Sequence, residues 1–259
     1  MIALIDGDII IYSVGFYNDI TYYDAPGIGR HHYKKDALIE AKQKRVDPKL
    51  IVKHHEANDI KHSLDGIDIK LKEVLEAVCT QEYELYLTGK DNFRDKVAVT
   101  APYKGNRKAD KPFWYKEMRQ YMVEAWDAKV VDGMEADDAL GIAQCRDETE
   151  ETVICSIDKD LLMIPGRHYN WKKKESQVID EEQGDYNLCM QMLTGDSTDN
   201  IIGIKGIGPK TAEKLLAGRT GWVEMDSVVE REYRIAFGKD ADDRYEENST
   251  LLWIKRSRY

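Results

Sequence analysis

No apolar run in this chain approaches the roughly 18 residues of a membrane span. Cysteine is scarce. The four present (Cys79, Cys145, Cys155 and Cys189) form no CxxC pair, so they read as reduced thiols, with neither a disulfide frame nor a zinc site. The six histidines lack metal-ligand spacing near the acidic clusters described below. Six prolines and 18 glycines are too few for collagen or low-complexity disorder. The opening stretch MIALIDGDIIIY contains no Lys or Arg and carries Asp6 and Asp8, so it does not read as a signal peptide. The expectation is a cytoplasmic globular protein with no membrane partner.

What is present is acid. The 259 residues are 42% hydrophobic and 33% charged, with a net charge of −10. That length allows one large domain or two small ones. The negative balance, taken alone, argues against a nucleic-acid binder. The acids are not spread evenly, however, and their placement changes that reading.

Residues 2–5 (IALI), 83–88 (YELYLT), 128–131 (AKVV) and 152–157 (TVICSI) read as strands. Helical patterns follow to about Phe16, at 113–126 and at 135–146, and Leu71, Val74, Leu75 and Val78 form one i, i+3, i+4, i+7 stripe. This alternation favours βαβ units and a parallel sheet. Residues 18–63 are polar and read as an irregular insertion, 89–112 as a basic loop, and the chain beyond about Glu182 as helical.

Acids follow the strands: Asp6 and Asp8 after the first, Glu135, Asp137 and Asp138 after 128–131, Asp158 and Asp160 after 152–157. In open parallel sheets, ligands bind beyond the carboxyl ends of the strands. Seven carboxylates converging there repel one another, and hard divalent cations are their natural counter-charge. Each cluster has an ordinary reading too: a turn at Asp6-Gly7-Asp8, a helix N-terminus at 135–138, a cap at 158–160. Three acids in four positions at 135–138 exceed what a helix start needs.

Two further segments carry chemistry. GDSTDN (195–200), with Asp196 and Asp199, leads into GIKGIGPKTA (203–212), an apolar-Gly-apolar-Gly pattern before a helix. Such glycines let backbone approach phosphate, and the helix N-terminus offers free N–H groups to an anion. Residues 203–219 hold four basic residues against Glu213. Residues 90–111 hold seven basic residues against three acids, together with Phe93 and Tyr103 and with aromatic residues 113–115 following. Basic and aromatic side chains together suit single-stranded nucleic acid.

IDGD, FRDK…YKGNR, GMEADD, SIDKD and LTGDSTDNIIGIKGIGPKTAEKLL occur in this order. The series resembles the 5′-nuclease (flap endonuclease-like) family, which includes phage 5′→3′ exonucleases and the 5′-nuclease domain of bacterial DNA polymerase I. The resemblance spans residues 1–217, matches poorly at 18–65, and is similar above all to the phage members. It implies an α/β, PIN-like core over 1–185 with a mostly parallel sheet and a helical arch or clamp at about 89–125. It implies a helical DNA-binding region over 186–259 with a helix–hairpin–helix (helix–two-turn–helix) at about 197–217.

By matching motif positions, Asp6, Glu135, Asp137 and Asp138 fall on one metal cluster. Asp158, Asp160 and Asp199 fall on a second, with Asp196 nearby. The implied ions are two Mg²⁺ or Mn²⁺, with K⁺ in the hairpin. Lys104 and Arg107 match the active-site lysine and its companion. Tyr103, Lys108, Lys205, Gly206, Gly208, Lys210 and Thr211 become the expected DNA contacts. The implied activity is phosphodiester hydrolysis at DNA 5′ ends, flaps or junctions, RNA–DNA hybrids included, by a monomer in the host cytoplasm during phage replication or recombination. One departure stands out: the family has an Asp after the strand that here ends at Thr88, and this chain reads Thr88-Gly89. Asp8 and Asp91 are the candidates to compensate. Two alternatives therefore stay open, a catalytically impaired DNA-binding member and, far behind, a metal-dependent phosphatase of small molecules.

Overall fold

The computed structural model describes residues 1–107, 110–146 and 151–256. In chain order the elements are β1 (Ile2–Asp6), α1 (Gly7–Asn18), β2 (Asp19–Ala25), β3 (Ile28–His31), α2 (Lys34–Lys44), β4 (Val52–Ala57) and α3 (Ile60–Ala77). Then come β5 (Tyr83–Thr88), α4 (Arg94–Val97), α5 (Tyr115–Trp126), β6 (Lys129–Val131), α6 (Ala136–Gln144) and β7 (Thr152–Cys155). The chain ends with β8 (Gly166–Asn170), β9 (Glu175–Ile179), α7 (Glu181–Thr194), β10 (Gly195–Asp196), β11 (Ile201–Ile202), α8 (Pro209–Leu216), α9 (Gly221–Phe237) and α10 (Ala241–Leu252). No helix among the described residues is long and apolar enough to cross a membrane.

The chain divides into two units: Met1–Ile9, Glu73–Ala109 and Trp126–Tyr259 form the first, Ile10–Lys72 and Asp110–Ala125 the second. This division does not fall at 185/186. The physical reason is a shared core: Leu4, Leu140 and Ile154 from the sheet side cluster with Leu188, Met192, Val229 and Tyr233 from the C-terminal helices. Apolar burial on that scale joins the helices to the sheet. The segment 89–125, expected as one arch, is likewise shared between the units.

The first unit holds a six-stranded sheet in the order β6-β5-β1-β7-β8-β9. All its strands run parallel except β9, which pairs antiparallel with β8. Ala3, Leu4 and Ile5 are wholly buried, as expected for a central parallel strand covered on both faces. The β8–β9 hairpin, with 171–174 as its turn, is an addition to the expected strands. Its β9 reads ESQVI, almost all exposed, and carries no apolar alternation to betray it.

The second unit contains a three-stranded antiparallel sheet, β3-β2-β4, in the stretch expected to be irregular. Its strands are stitched by polar pairs: Tyr22 lies opposite His54 and Thr21 opposite His55. His54 Nε2 meets Asp24 at 2.9 Å, His55 Nε2 meets Asp19 at 2.7 Å, and the Tyr22 hydroxyl donates to Glu56 at 2.9 Å. Hydrophobic alternation is the main sequence signal for a strand, and here cross-strand polar pairs replace it. Ala37 and Ala41 form the buried side of α2, while Ile10, Ile11, Ile67, Leu71, Met118 and Met122 are fully buried.

Candidate active site

The carboxyl ends of β1, β5, β6 and β7 lie along one edge, because the parallel register sets Asp6 opposite Tyr86 and Ile5 opposite Cys155. Asp6 ends β1 and is buried; its Oδ2 accepts from the Ser156 hydroxyl at 2.9 Å. Beyond β7, Ser156 Oγ accepts from Asp158 N and Asp158 Oδ1 accepts from Asp160 N, so the SIDKD turn is held by its own side chains. Gln191 on α7 donates to Asp160. Asp196 accepts from Thr198 N at 2.6 Å, which shapes the 196–199 loop.

Beyond β6, Glu135 is the N-cap of α6 and forms a capping box with Asp138. Asp138 is 0% exposed and Arg94 is 2% exposed. Arg94 grips Asp138 through two nitrogens, at 2.6 and 2.9 Å. Its Nε and Nη2 also donate to the Leu251 and Trp253 carbonyls. Asp138 also accepts from Glu135 N and Lys255 N, so both its oxygens are committed. Expected as a metal ligand, Asp138 is the buried counter-charge of Arg94. Burial opposes the Arg94 charge, but the Asp138 hydrogen bonds and charge outweigh it and push the guanidinium pKa up. In the sequence Arg94 stands among seven basic residues and inside the FRDK motif, with no role of its own, since nothing local marks a buried arginine.

The YKGNR loop lies against the 196–200 loop. Lys104 N donates to the Asp199 carbonyl at 2.8 Å, Asn106 to the Ser197 carbonyl at 2.7 Å, and Asn200 to the Pro102 carbonyl at 2.9 Å. Lys104 adopts φ 53°, a left-handed conformation that costs a non-glycine residue energy and clusters at functional sites. Its ammonium pairs with Glu135 and lies 3.6 Å from Asp199, while Arg107 pairs with the other Asp199 oxygen. Tyr103 is 9% exposed, and its hydroxyl lies 2.9 Å from Glu135 and 2.8 Å from Asp199. Expected as a DNA contact, it places its hydroxyl between two carboxylates.

These groups line a cleft of about 120 Å³. Asp137, Asp158, Asp160, Asp196 and Asp199 meet Lys104, Arg107 and Lys159 there. Burial raises the Asp6 pKa to about 7, helped by the charges of Asp8 and Asp158. Asp160 rises to about 7 through burial and the charges of Asp158 and Asp196. Asp137 is pushed up by burial and by Asp6, Asp158 and Glu135. The carboxylates therefore sense one another across segments 6, 135–137, 158–160 and 196. Oxygen-only donors crowded against their own repulsion are the chemistry that a hard divalent cation takes. Among the described residues, no three His, Cys, Asp or Glu groups are gathered closely enough to hold an ion as they stand. Side-chain cations occupy part of the set instead, on Glu135, Asp199 and Asp138.

At the position lacking an acid, the Thr88 hydroxyl accepts from Ala136 N and so caps α6, while Asp8 accepts from Thr88 N at 2.8 Å. A Cβ on Gly89 would lie 2.6 Å from the Val131 carbonyl oxygen and collide with the Asp132 side chain. Asp91 is exposed in the turn beyond. Lys205, Gly206, Gly208, Lys210 and Thr211 are exposed around the start of α8, which Gly208 caps and Pro209 opens. Gly206 has φ +89°, and a Cβ on Gly203 would strike the backbone of Thr194 and Gly195. Lys108 lies outside the described residues.

The mostly parallel α/β architecture is similar to that of a nuclease. The flap endonuclease of bacteriophage T5, solved in complex with DNA and metal ions, matches with a TM-score of 0.52 at 13% identity, covering 97% of this chain and 98% of that one. In sequence, the exonuclease of Escherichia phage T7 is 33% identical over 139 residues, 51% of this chain and 46% of that protein. DNA polymerase I of Rhizobium leguminosarum is 35% identical over 111 residues, 39% of this chain and 11% of that protein. Other homologues bear the names flap endonuclease Xni and 5′-3′ exonuclease. The chain spans between 11% and 46% of the length of these curated relatives. No family model matches it.

Proposed function

We propose that this chain is a divalent-metal-dependent 5′→3′ exonuclease and flap endonuclease, hydrolysing phosphodiester bonds at DNA 5′ ends, flaps or junctions in phage replication or recombination. The observation that carries this reading is the cleft in which acids from the ends of β6 and β7 and from the 196–199 loop meet Lys104 and Arg107. Asp6, Glu135, Asp137, Asp158, Asp160, Asp196 and Asp199 would hold the ions, with Asp138 supporting from behind. Two bound Mg²⁺ or Mn²⁺ ions lower the pKa of water and stabilise attacking and leaving oxygens.

The chain's own groups do the rest. Ser156 fixes one Asp6 oxygen and the Ile9 N–H the other, so the carboxylate is held in place. Tyr103 orients Glu135 and Asp199. Lys104 and Arg107 exchange their carboxylates for the scissile phosphate and offset its developing charge, the electrostatic role that usually carries most weight. Lys205, Lys210, Thr211 and the N–H groups at the start of α8 hold duplex phosphates as a helix–hairpin–helix, the place for the implied K⁺. Basic residues of 90–111 clamp the 5′ end. The protein acts as a monomer in the host cytoplasm, and RNA–DNA hybrids are substrates of the same kind.

A 5′-labelled flap or duplex incubated with Mg²⁺, Mn²⁺ or neither tests this: cleavage requires a cation. DNA binding with no cleavage under either cation supports the second reading, a catalytically impaired binder. The missing acid at 88–89 favours that reading. Rescue then belongs at Thr88→Asp, which keeps an acceptor for Ala136 N, and not at Gly89, where a side chain has no room.

A further inference from the structure

The segment from Arg30 to Lys53 is the part of the molecule whose charge the candidate active site does not use. It holds eight basic residues and three acids, a net of +5 in a chain of −10. Two of its acids are spent internally. Glu40 accepts from Lys44, His31 and Gly29 N, which together hold its carboxyl down at about 2. Asp47 caps the turn at Pro48–Leu50 through Lys49 N. On the neighbouring strands, His54 and His55 take Asp24 and Asp19, and Lys53 takes Asp110. Lys34, Lys35, Lys42, Arg45 and Lys49 are left exposed with no carboxylate partner among the described residues.

These cations are arranged. On α2, Ala37 and Ala41 face inward. Lys35, Leu38, Ile39 and Lys42 follow i, i+3, i+4, i+7 and share the outward side. Tyr33, 65% exposed, stands before the helix with the Lys35 ammonium 5.4 Å from its ring centre. Lys34 and Lys35 share the first turn with Asp36, where the helix dipole favours acids, and Tyr33 provides no side-chain cap. Two exposed cations against one half-buried acid therefore stand where the dipole favours negative charge, which points to an external anion.

We propose that the outward face of α2 anchors nucleic acid through its phosphates, with Tyr33 as an exposed ring beside them. This rests on the nuclease reading and extends it to a surface in the second unit. Phosphate contacts of this kind hold DNA without reading its sequence, and their number sets the salt dependence.

The test is Lys34→Gln/Lys35→Gln/Lys42→Gln in the full chain, with anisotropy titrations of labelled flap DNA in Ca²⁺ across salt concentrations. Loss of up to three phosphate contacts lowers the slope of log K against log salt by about 2–3 and weakens binding roughly tenfold or more at moderate salt. Turnover at saturating DNA and the melting temperature stay as in the wild type. Wild-type affinity and slope in the variant overturn the proposal and leave the stripe of Leu38 and Ile39 to a protein partner. Weakened binding with an unchanged slope also overturns it, because phosphate neutralisation is then not what was lost. A wild-type chain that binds no DNA ends the nuclease reading and this surface with it, whereas the other two failures end this surface alone.

Discussion

The two units treat their acids in opposite ways. The first carries 36 acidic against 24 basic residues, a net of −12; the second carries 12 against 14, a net of +2. In the second unit Asp19, Asp24, Glu40, Glu56 and Asp110 each have a histidine, lysine or tyrosine partner. In the first, Asp6 is buried and Asp137 and Asp160 are half-buried against other acids, and their pKa values rise. Paired acids stabilise a fold, while crowded acids cost it stability until something positive arrives. The net charge of −10 therefore says little about DNA binding, because much of it sits in one cleft.

The first unit also holds a buried ion pair, Arg94 with Asp138, and there the largest effect is expected. Arg94→Ala leaves Asp138 buried, charged and facing no cation, and should cost about 3–5 kcal/mol in chemical denaturation. Lys104→Ala comes next. Under the proposed function, turnover should fall by about 10²–10³-fold while DNA affinity changes little, since its charge matters most in the transition state. Normal turnover at saturating DNA would break the assignment.

Asp137→Asn should do what no acid substitution in the second unit does: stabilise the metal-free chain. It removes one repelling charge, and a gain of about 1 kcal/mol appears as roughly 2–4 °C in melting temperature. Removing a ligand should at the same time abolish the stabilisation that Mn²⁺ gives the wild type. The pH dependence has the matching sign. Asp6 and Asp160 are raised from 3.8 to about 7, so the fold prefers their protonated forms. Their stabilising contribution is full below about pH 4 and lost as pH rises through about 7. The metal-free chain should melt higher at about pH 5 than at about pH 8, and saturating Mn²⁺ at the higher pH should close the gap.

The same contrast explains what the sequence revealed. β1, β5 and β7 are apolar runs, and the acids after β1, β6 and β7 fall on one edge because parallel strands share their direction. The convergence of Asp6, Asp137, Asp158 and Asp160 was legible on that ground. The sheet β3-β2-β4 was not, because its strands are paired by His–Asp and Tyr–Glu contacts. Neither was the role of Tyr103 or Asp138. An aromatic residue in a basic loop reads as a base-stacking platform, and only the fold shows its hydroxyl aimed at two carboxylates. An acid beside two others reads as a third ligand until a buried arginine from 44 residues upstream claims both its oxygens.

The smallest effect tests the second unit. Asp19 is a paired acid: its oxygens accept from Phe113 N at 3.1 Å and one meets His55 Nε2 at 2.7 Å. Its side chain is 6% exposed, and it ties β2 to β4 and to the segment leading into α5. Asp19→Ala removes those bonds. Because the Phe113 N–H reaches solvent, the loss should stay near 1 kcal/mol. The denaturation midpoint should fall with an unchanged slope, the sign of a stability loss without a change in folded extent. Asp137→Asn moves the midpoint of the metal-free chain the other way. Two single-acid removals with opposite signs are what the contrast between paired and crowded carboxylates requires, and equal signs would break it.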